Sequence, residues 1–128
     1  MTVDCEKQRI LIVDDASVIR DLIKSFYDGY GFELIEAANG LEAVAIASAC
    51  IPDLILLDIE MPGMNGYEVA ATLKNDKAVK DIPILVITGL ELKEVTERTS
   101  GMCDGYLSKP FQKADLINAT LQCLPGML

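Results

Sequence analysis

"LIVDDAS", residues 11–17, is the stretch whose reading decides the fold. It begins inside an unbroken apolar run, Ile10 to Val13, of the kind a strand buried on both faces requires. Two adjacent carboxylates, Asp14 and Asp15, follow where that strand must end. Like charges about 5 Å apart at an effective dielectric of about 20 repel by roughly 3 kcal/mol, so a fold needs a reason to keep them together. Two reasons are open at this point. The pair favours the start of the next helix through its dipole, or it holds a cation.

The same pattern recurs along the chain. "LILL" (54–57) runs into Asp58, "ILVI" (84–87) into Thr88, and the weaker "GYLS" (105–108) into Lys109. "FELIEA" (32–37) alternates, which suits an edge strand. Helical patterns lie between these runs. Val18, Ile19, Leu22, Ile23 and Phe26 share one face, with Gly29 and Gly31 as stop signals. Residues 41–50 are Ala-rich and close before Pro52, and Asn65 caps a third helix with Glu68 three residues on. Residues 90–100 read as a fourth helix and 112–124 as a fifth. Strand–helix alternation without a compositional break predicts one α/β domain over 1–128, its core at about 9–124, with a parallel sheet and helices on both faces.

In such a sheet the working crevice lies beyond the carboxyl ends of the strands. Asp14, Asp15, Asp58, Thr88 and Lys109 therefore converge on one edge. Each has an ordinary reading: Asp58 as a turn former before Pro62-Gly63, Thr88 as a strand residue, Lys109 as a solvated cation. Together at successive strand ends they fit a Mg²⁺ site beside a phosphoryl group, with Lys109 and Thr88 facing that group. A carboxylate can itself be the nucleophile, and with no histidine in the chain Asp58 is the choice.

Composition narrows the classes. Twenty acidic residues against 11 basic ones give a formal net charge of −9, and the cations form no stripe, which disfavours direct nucleic-acid binding. No apolar run approaches the ~20 residues of a membrane helix, and the N-terminus lacks a signal-peptide centre, so a cytoplasmic location is expected. Cys5, Cys50, Cys103 and Cys123 lie far apart, as small buried or half-buried apolar residues of a reducing compartment would.

"ILIVDD", "DLILLDIEMPGMNG", "ILVITG" and "GYLSKPF", in this order from about Arg9 to Leu124, closely resemble the receiver domain of two-component response regulators. The resemblance implies a flavodoxin-like, five-stranded doubly wound sheet in the order 2-1-3-4-5, flanked by five helices. It implies that Asp58 is the phosphoacceptor. Asp15, Asp58 and the backbone carbonyl of Glu60 would ligate Mg²⁺, with Asp14 acting through water. Thr88 and Lys109 would contact the phosphoryl oxygens, and Thr88 and Tyr106 would form a switch in which Tyr106 turns inward as Thr88 moves. The Lys109-Pro110 bond would be cis, and Gly89 would leave the phosphoryl group accessible. Glu60 and Leu90 stand where the family tunes hydrolysis, an apolar Leu90 implying slow to moderate decay. "ITGL" departs from the commoner alanine after the threonine.

The resemblance implies a histidine kinase or histidine phosphotransfer protein as donor, a downstream protein target on the helix 4–strand 5–helix 5 face, and no enzymatic role beyond the domain's own phosphotransfer and dephosphorylation. One alternative keeps the family but places the chain within a hybrid kinase or a DNA-binding regulator; the start at Met1 favours an independent product. A more distant one is a Mg²⁺-dependent phosphohydrolase with an Asp nucleophile. That pattern would want an Asp two residues after the nucleophile, where Glu60 stands.

Overall fold

In the computed structural model, which describes residues 7–124, the apolar runs become the strands. They are β1 (Arg9–Val13), β2 (Glu33–Ala37), β3 (Leu54–Asp58), β4 (Ile84–Thr88) and β5 (Gly105–Ser108). All pairings are parallel, and the order is β2-β1-β3-β4-β5, as the resemblance implied. Central β1, β3 and β4 are buried along almost their whole length, whereas β2, the alternating run, lies at an edge and is only partly covered.

Side chains alternate across a strand, so the continuous apolar runs feed two cores. Leu11, Val13, Ile55, Leu57, Ile84 and Val86 face one side, and Ile10, Ile12, Leu54, Leu56, Leu85 and Ile87 the other. The first core is closed by α2 (Gly40–Cys50), α3 (Gly66–Lys74) and α4 (Leu92–Arg98), through Ala43, Ala47, Val69, Ala70, Leu73 and Val95. The second is closed by α1 (Ser17–Phe26) and α5 (Lys113–Cys123), through Ile23, Leu116 and Ile117. Each fully buried Leu or Ile contributes about 1.5–3 kcal/mol, so these runs supply most of the drive to fold.

Helix ends follow the expected chemistry in part. Asn65 accepts from the Glu68 N–H at 3.0 Å while Glu68 accepts from the Asn65 N–H at 2.9 Å, a complete capping box. Asn39 caps α2 in the same sense by accepting from the Glu42 N–H. The fourth helix is shorter than the expected 90–100. The Leu90 N–H is taken by the Thr88 hydroxyl at 3.0 Å, and the chain leaves the helix at Thr99, ahead of a left-handed Gly101. Cys50, Cys103 and Cys123 are free thiols, partly buried; Cys5 lies outside the described residues. Among the described residues no helix is long and apolar enough to cross a membrane.

Candidate phosphoryl-accepting site

The carboxyl ends of β1, β3, β4 and β5 bring the expected residues together. Asp14 extends the β1–β2 ladder by one step, its N–H donating to the Ala37 carbonyl at 3.2 Å. Its carboxylate is divided: Oδ1 accepts the Ala16 N–H at 2.9 Å, at the entry to α1, and Oδ2 lies 3.2 Å from the Lys109 ammonium. One oxygen thus faces the backbone ahead of α1 and the other faces the ammonium. Asp15 next to it is exposed.

Asp58 is the last residue of β3 and 2% exposed. Its Oδ1 accepts the Glu60 N–H at 3.1 Å and sits 3.6 Å from the Lys109 Nζ. Lys109 is delivered by its own backbone, whose N–H donates to the Thr88 carbonyl at 2.8 Å, and the Lys109-Pro110 bond that follows is cis. Thr88 is fully buried, its hydroxyl oxygen occupied by the Leu90 N–H. Glu60 leans toward Gly89, where an added Cβ would stand 3.4 Å from its Oε1. Tyr106 lies apart from the acids, with its hydroxyl 2.7 Å from that of Thr99.

The loop after β3 has little freedom because α3 begins against it. A Cβ on Gly66 would lie 2.6 Å from the Asp58 carbonyl oxygen and 2.6 Å from the Ile59 Cα, so only glycine lets the helix approach this closely. The Gly66 N–H closes the turn on the Ile59 carbonyl at 3.0 Å. In this way the "PGMNG" segment holds Asp58 in place through its backbone.

Oxygens of Asp14, Asp15 and Asp58 all lie within 4.8 Å of one another. One ammonium faces two of these three carboxylates. Burial, and then the charge of Asp14, push the Asp58 carboxyl up to about 6, against the pull of Lys109. A cluster of hard oxygens with surplus negative charge suits a small divalent cation, and the residues present fit one.

A doubly wound parallel sheet with an acidic cluster, a buried hydroxyl and an ammonium at its carboxyl edge is the architecture of a signalling receiver. The chain belongs to the response regulator receiver domain family, which residues 10–121 match. It is similar to the polar-differentiation response regulator DivK of Brucella anthropi, 38% identical over 102 residues that make up 79% of this chain and 83% of that one. The fold matches the chemotaxis protein CheY4 of Vibrio cholerae at a TM-score of 0.87 and 30% identity, over 93% of this chain and 100% of that one. It matches the signal receiver domain of a signal transduction histidine kinase from Syntrophus aciditrophicus at a TM-score of 0.83 and 30% identity, over 93% and 91%.

Two contributors escaped the sequence reading. Arg20 on α1 reaches the Asp14 carbonyl, and Thr99 after α4 meets Tyr106. A cation on the first turns of the helix that follows an acidic pair was the available sign for Arg20; for Thr99 there was none.

Proposed function

We propose that this receiver, one domain over 1–128, is switched by phosphorylation of Asp58. The observation that supports this best is the position of the Asp58 carboxylate, buried at the end of β3 between Lys109 and the carboxylates of Asp14 and Asp15. Asp15, Asp58 and the Glu60 carbonyl would hold Mg²⁺, and Asp14 would act through water. The metal ion supplies charge neutralisation beside the transferred group.

In the transfer, an Asp58 oxygen forms the bond to phosphorus as the P–N bond of a donor phosphohistidine breaks. The electron pair leaves on the imidazole nitrogen, which takes up a proton. The donor, a histidine kinase or a phosphotransfer protein, must bring that histidine, since this chain has none. Lys109 offsets charge on the phosphoryl oxygens, and Thr88 donates its hydroxyl proton to another. Movement of Thr88 releases Tyr106 to turn toward it, and the face of α4, β5 and α5 changes for a downstream protein. Such a module works in the cytoplasm and turns over nothing but its own phosphoryl group. The likeness to a receiver within a histidine kinase supports the second context, a receiver acting as part of a larger signalling chain.

The test is intact mass after incubation with Mg²⁺ and acetyl phosphate, beside Asp58→Asn. A single phosphoryl gain that needs Mg²⁺, is labile to hydroxylamine and is absent from the variant is the expected result. If neither acetyl phosphate labelling nor beryllofluoride binding occurs with Mg²⁺ present, the proposal fails.

A further inference from the structure

The backbone of Asp14 is gripped from two directions, the second grip being on the peptide that joins it to Asp15. On one side the Asp14 N–H donates to the carbonyl of Ala37. On the other the Asp14 carbonyl accepts a hydrogen bond from Arg20 Nη1 at 2.6 Å. Arg20 is itself anchored: its Nε donates to Glu36 Oε1 at 2.9 Å, and Glu36 is the β2 residue just before Ala37. The other Glu36 oxygen accepts from Lys24 Nζ at 2.8 Å. Hydrogen bonds from Lys24 and then Arg20 hold the Glu36 carboxyl below the usual carboxylate range. The Arg20 side chain is only 15% exposed.

Turning that peptide changes ψ of Asp14 and φ of Asp15 together. Those torsions set how far apart the two carboxylates stand, and their mutual repulsion drives them apart. The charge of Arg20 already faces Glu36, and the ammonium that faces the acids is that of Lys109. What Arg20 adds is a planar fork joining a carboxylate on β2 to a carbonyl at the site, a geometry a guanidinium provides and an ammonium does not.

We infer that Arg20 is a positioning residue of the phosphoryl-accepting site: held by Glu36, it fixes the Asp14–Asp15 peptide so that both carboxylates are presented together to the divalent cation. This rests on the reading of the acidic cluster as a Mg²⁺ site. Partners that orient metal ligands without touching the metal commonly contribute tenfold or more to affinity.

The test is Mg²⁺ titration of the full chain by calorimetry, with metal-free thermal stability measured on each variant. Arg20→Met is expected to weaken Mg²⁺ binding by about tenfold. Lys24→Met removes the same charge from the same carboxylate but touches no atom of Asp14, and is expected to stay within about twofold of wild type. Should Arg20→Met not fold, Arg20→Lys carries the comparison: it keeps the charge without the fork and is expected to weaken binding by about threefold or more. Unchanged affinity in a folded Arg20 variant, or equal weakening by Arg20→Met and Lys24→Met, overturns the positioning role alone. A wild-type protein that takes up no Mg²⁺ overturns the metal-site reading, and this inference with it.

Discussion

Tyr106 donates its phenolic proton to Thr99. The two hydroxyl oxygens are 2.7 Å apart, and the Thr99 proton is already given to the Val95 carbonyl at 2.7 Å, so Thr99 can only accept. Thr99 is fully buried at the carboxyl end of α4, whereas Thr88 stands two residues beyond Val86, the β4 partner of Tyr106. The bond therefore holds Tyr106 away from the phosphoryl-accepting edge. It contributes about 1 kcal/mol to the arrangement seen here and would be lost in the proposed turn of the ring toward Thr88. In Thr99→Val the turned arrangement gains about fivefold in population, and beryllofluoride with Mg²⁺ is expected to bind up to about fivefold more tightly. Weaker binding would place the Thr99 bond in the active arrangement instead. Tyr27 makes the same kind of bond to Thr120 on the opposite face but is itself buried. Tyr27→Phe is accordingly expected to lower stability by about 1–2 kcal/mol, with no effect on that binding.

Asp58 sets a pH dependence of stability in the metal-free protein. Its carboxyl is raised to about 6 in the fold, chiefly by burial, against about 3.9 in an unfolded chain. Between those values the native state binds more protons than the unfolded one, so stability falls as pH rises through the window and is flat above it. Asp58→Asn removes the penalty. With EDTA present, the variant is expected to match wild type near pH 4 and to exceed it by on the order of 2 kcal/mol at pH 7. Urea unfolding across the pH range measures this, and a pH-independent difference would refute it.

Lys109 is expected to act oppositely on two steps. Lys109→Met leaves Asp14 and Asp58 without the ammonium now 3.2 and 3.6 Å away. Metal-free stability at pH 7 should drop by about 1 kcal/mol, a modest figure because the lysine is partly solvated. Mg²⁺ should bind more tightly for want of a competing charge, while acetyl phosphate labelling slows by about tenfold or more. Weaker Mg²⁺ binding in this variant would mean that Lys109 organises the acids.

Two glycines near the site should respond differently to a methyl group. Gly66→Ala drives a Cβ into backbone atoms 2.6 Å away, and a loss of about 2 kcal/mol or more in unfolding free energy is expected, with weaker Mg²⁺ uptake. Gly89→Ala meets only the flexible end of Glu60 at 3.4 Å, and a change within about 0.5 kcal/mol is expected. Parallel melting curves of the two variants decide the matter.

By itself the sequence determined the elements and the chemistry at their ends. Apolar periodicity marked every strand; Asp58 and Thr88 close β3 and β4, and Asp14, Asp15 and Lys109 come just after β1 and β5, so alternation alone placed them at one edge. The capping box at Asn65 was equally legible, because its two partners lie within one helical turn. Strand order came through the resemblance, since several orders satisfy the same periodicity.

Only the tertiary structure decided which atoms meet. Arg20 finds the Asp14 carbonyl because Glu36 on β2 holds its guanidinium there; a cation after an acidic pair marks the neighbourhood in the sequence but not the backbone oxygen it reaches. The early end of α4 places Thr99 under Tyr106, a hydroxyl pair set by packing rather than by propensity. Gly66 marks an approach of helix to strand end that a sequence reads only as a turn. Periodicity is a property of one segment, whereas these contacts depend on the register and distance between segments, which the packed core alone fixes.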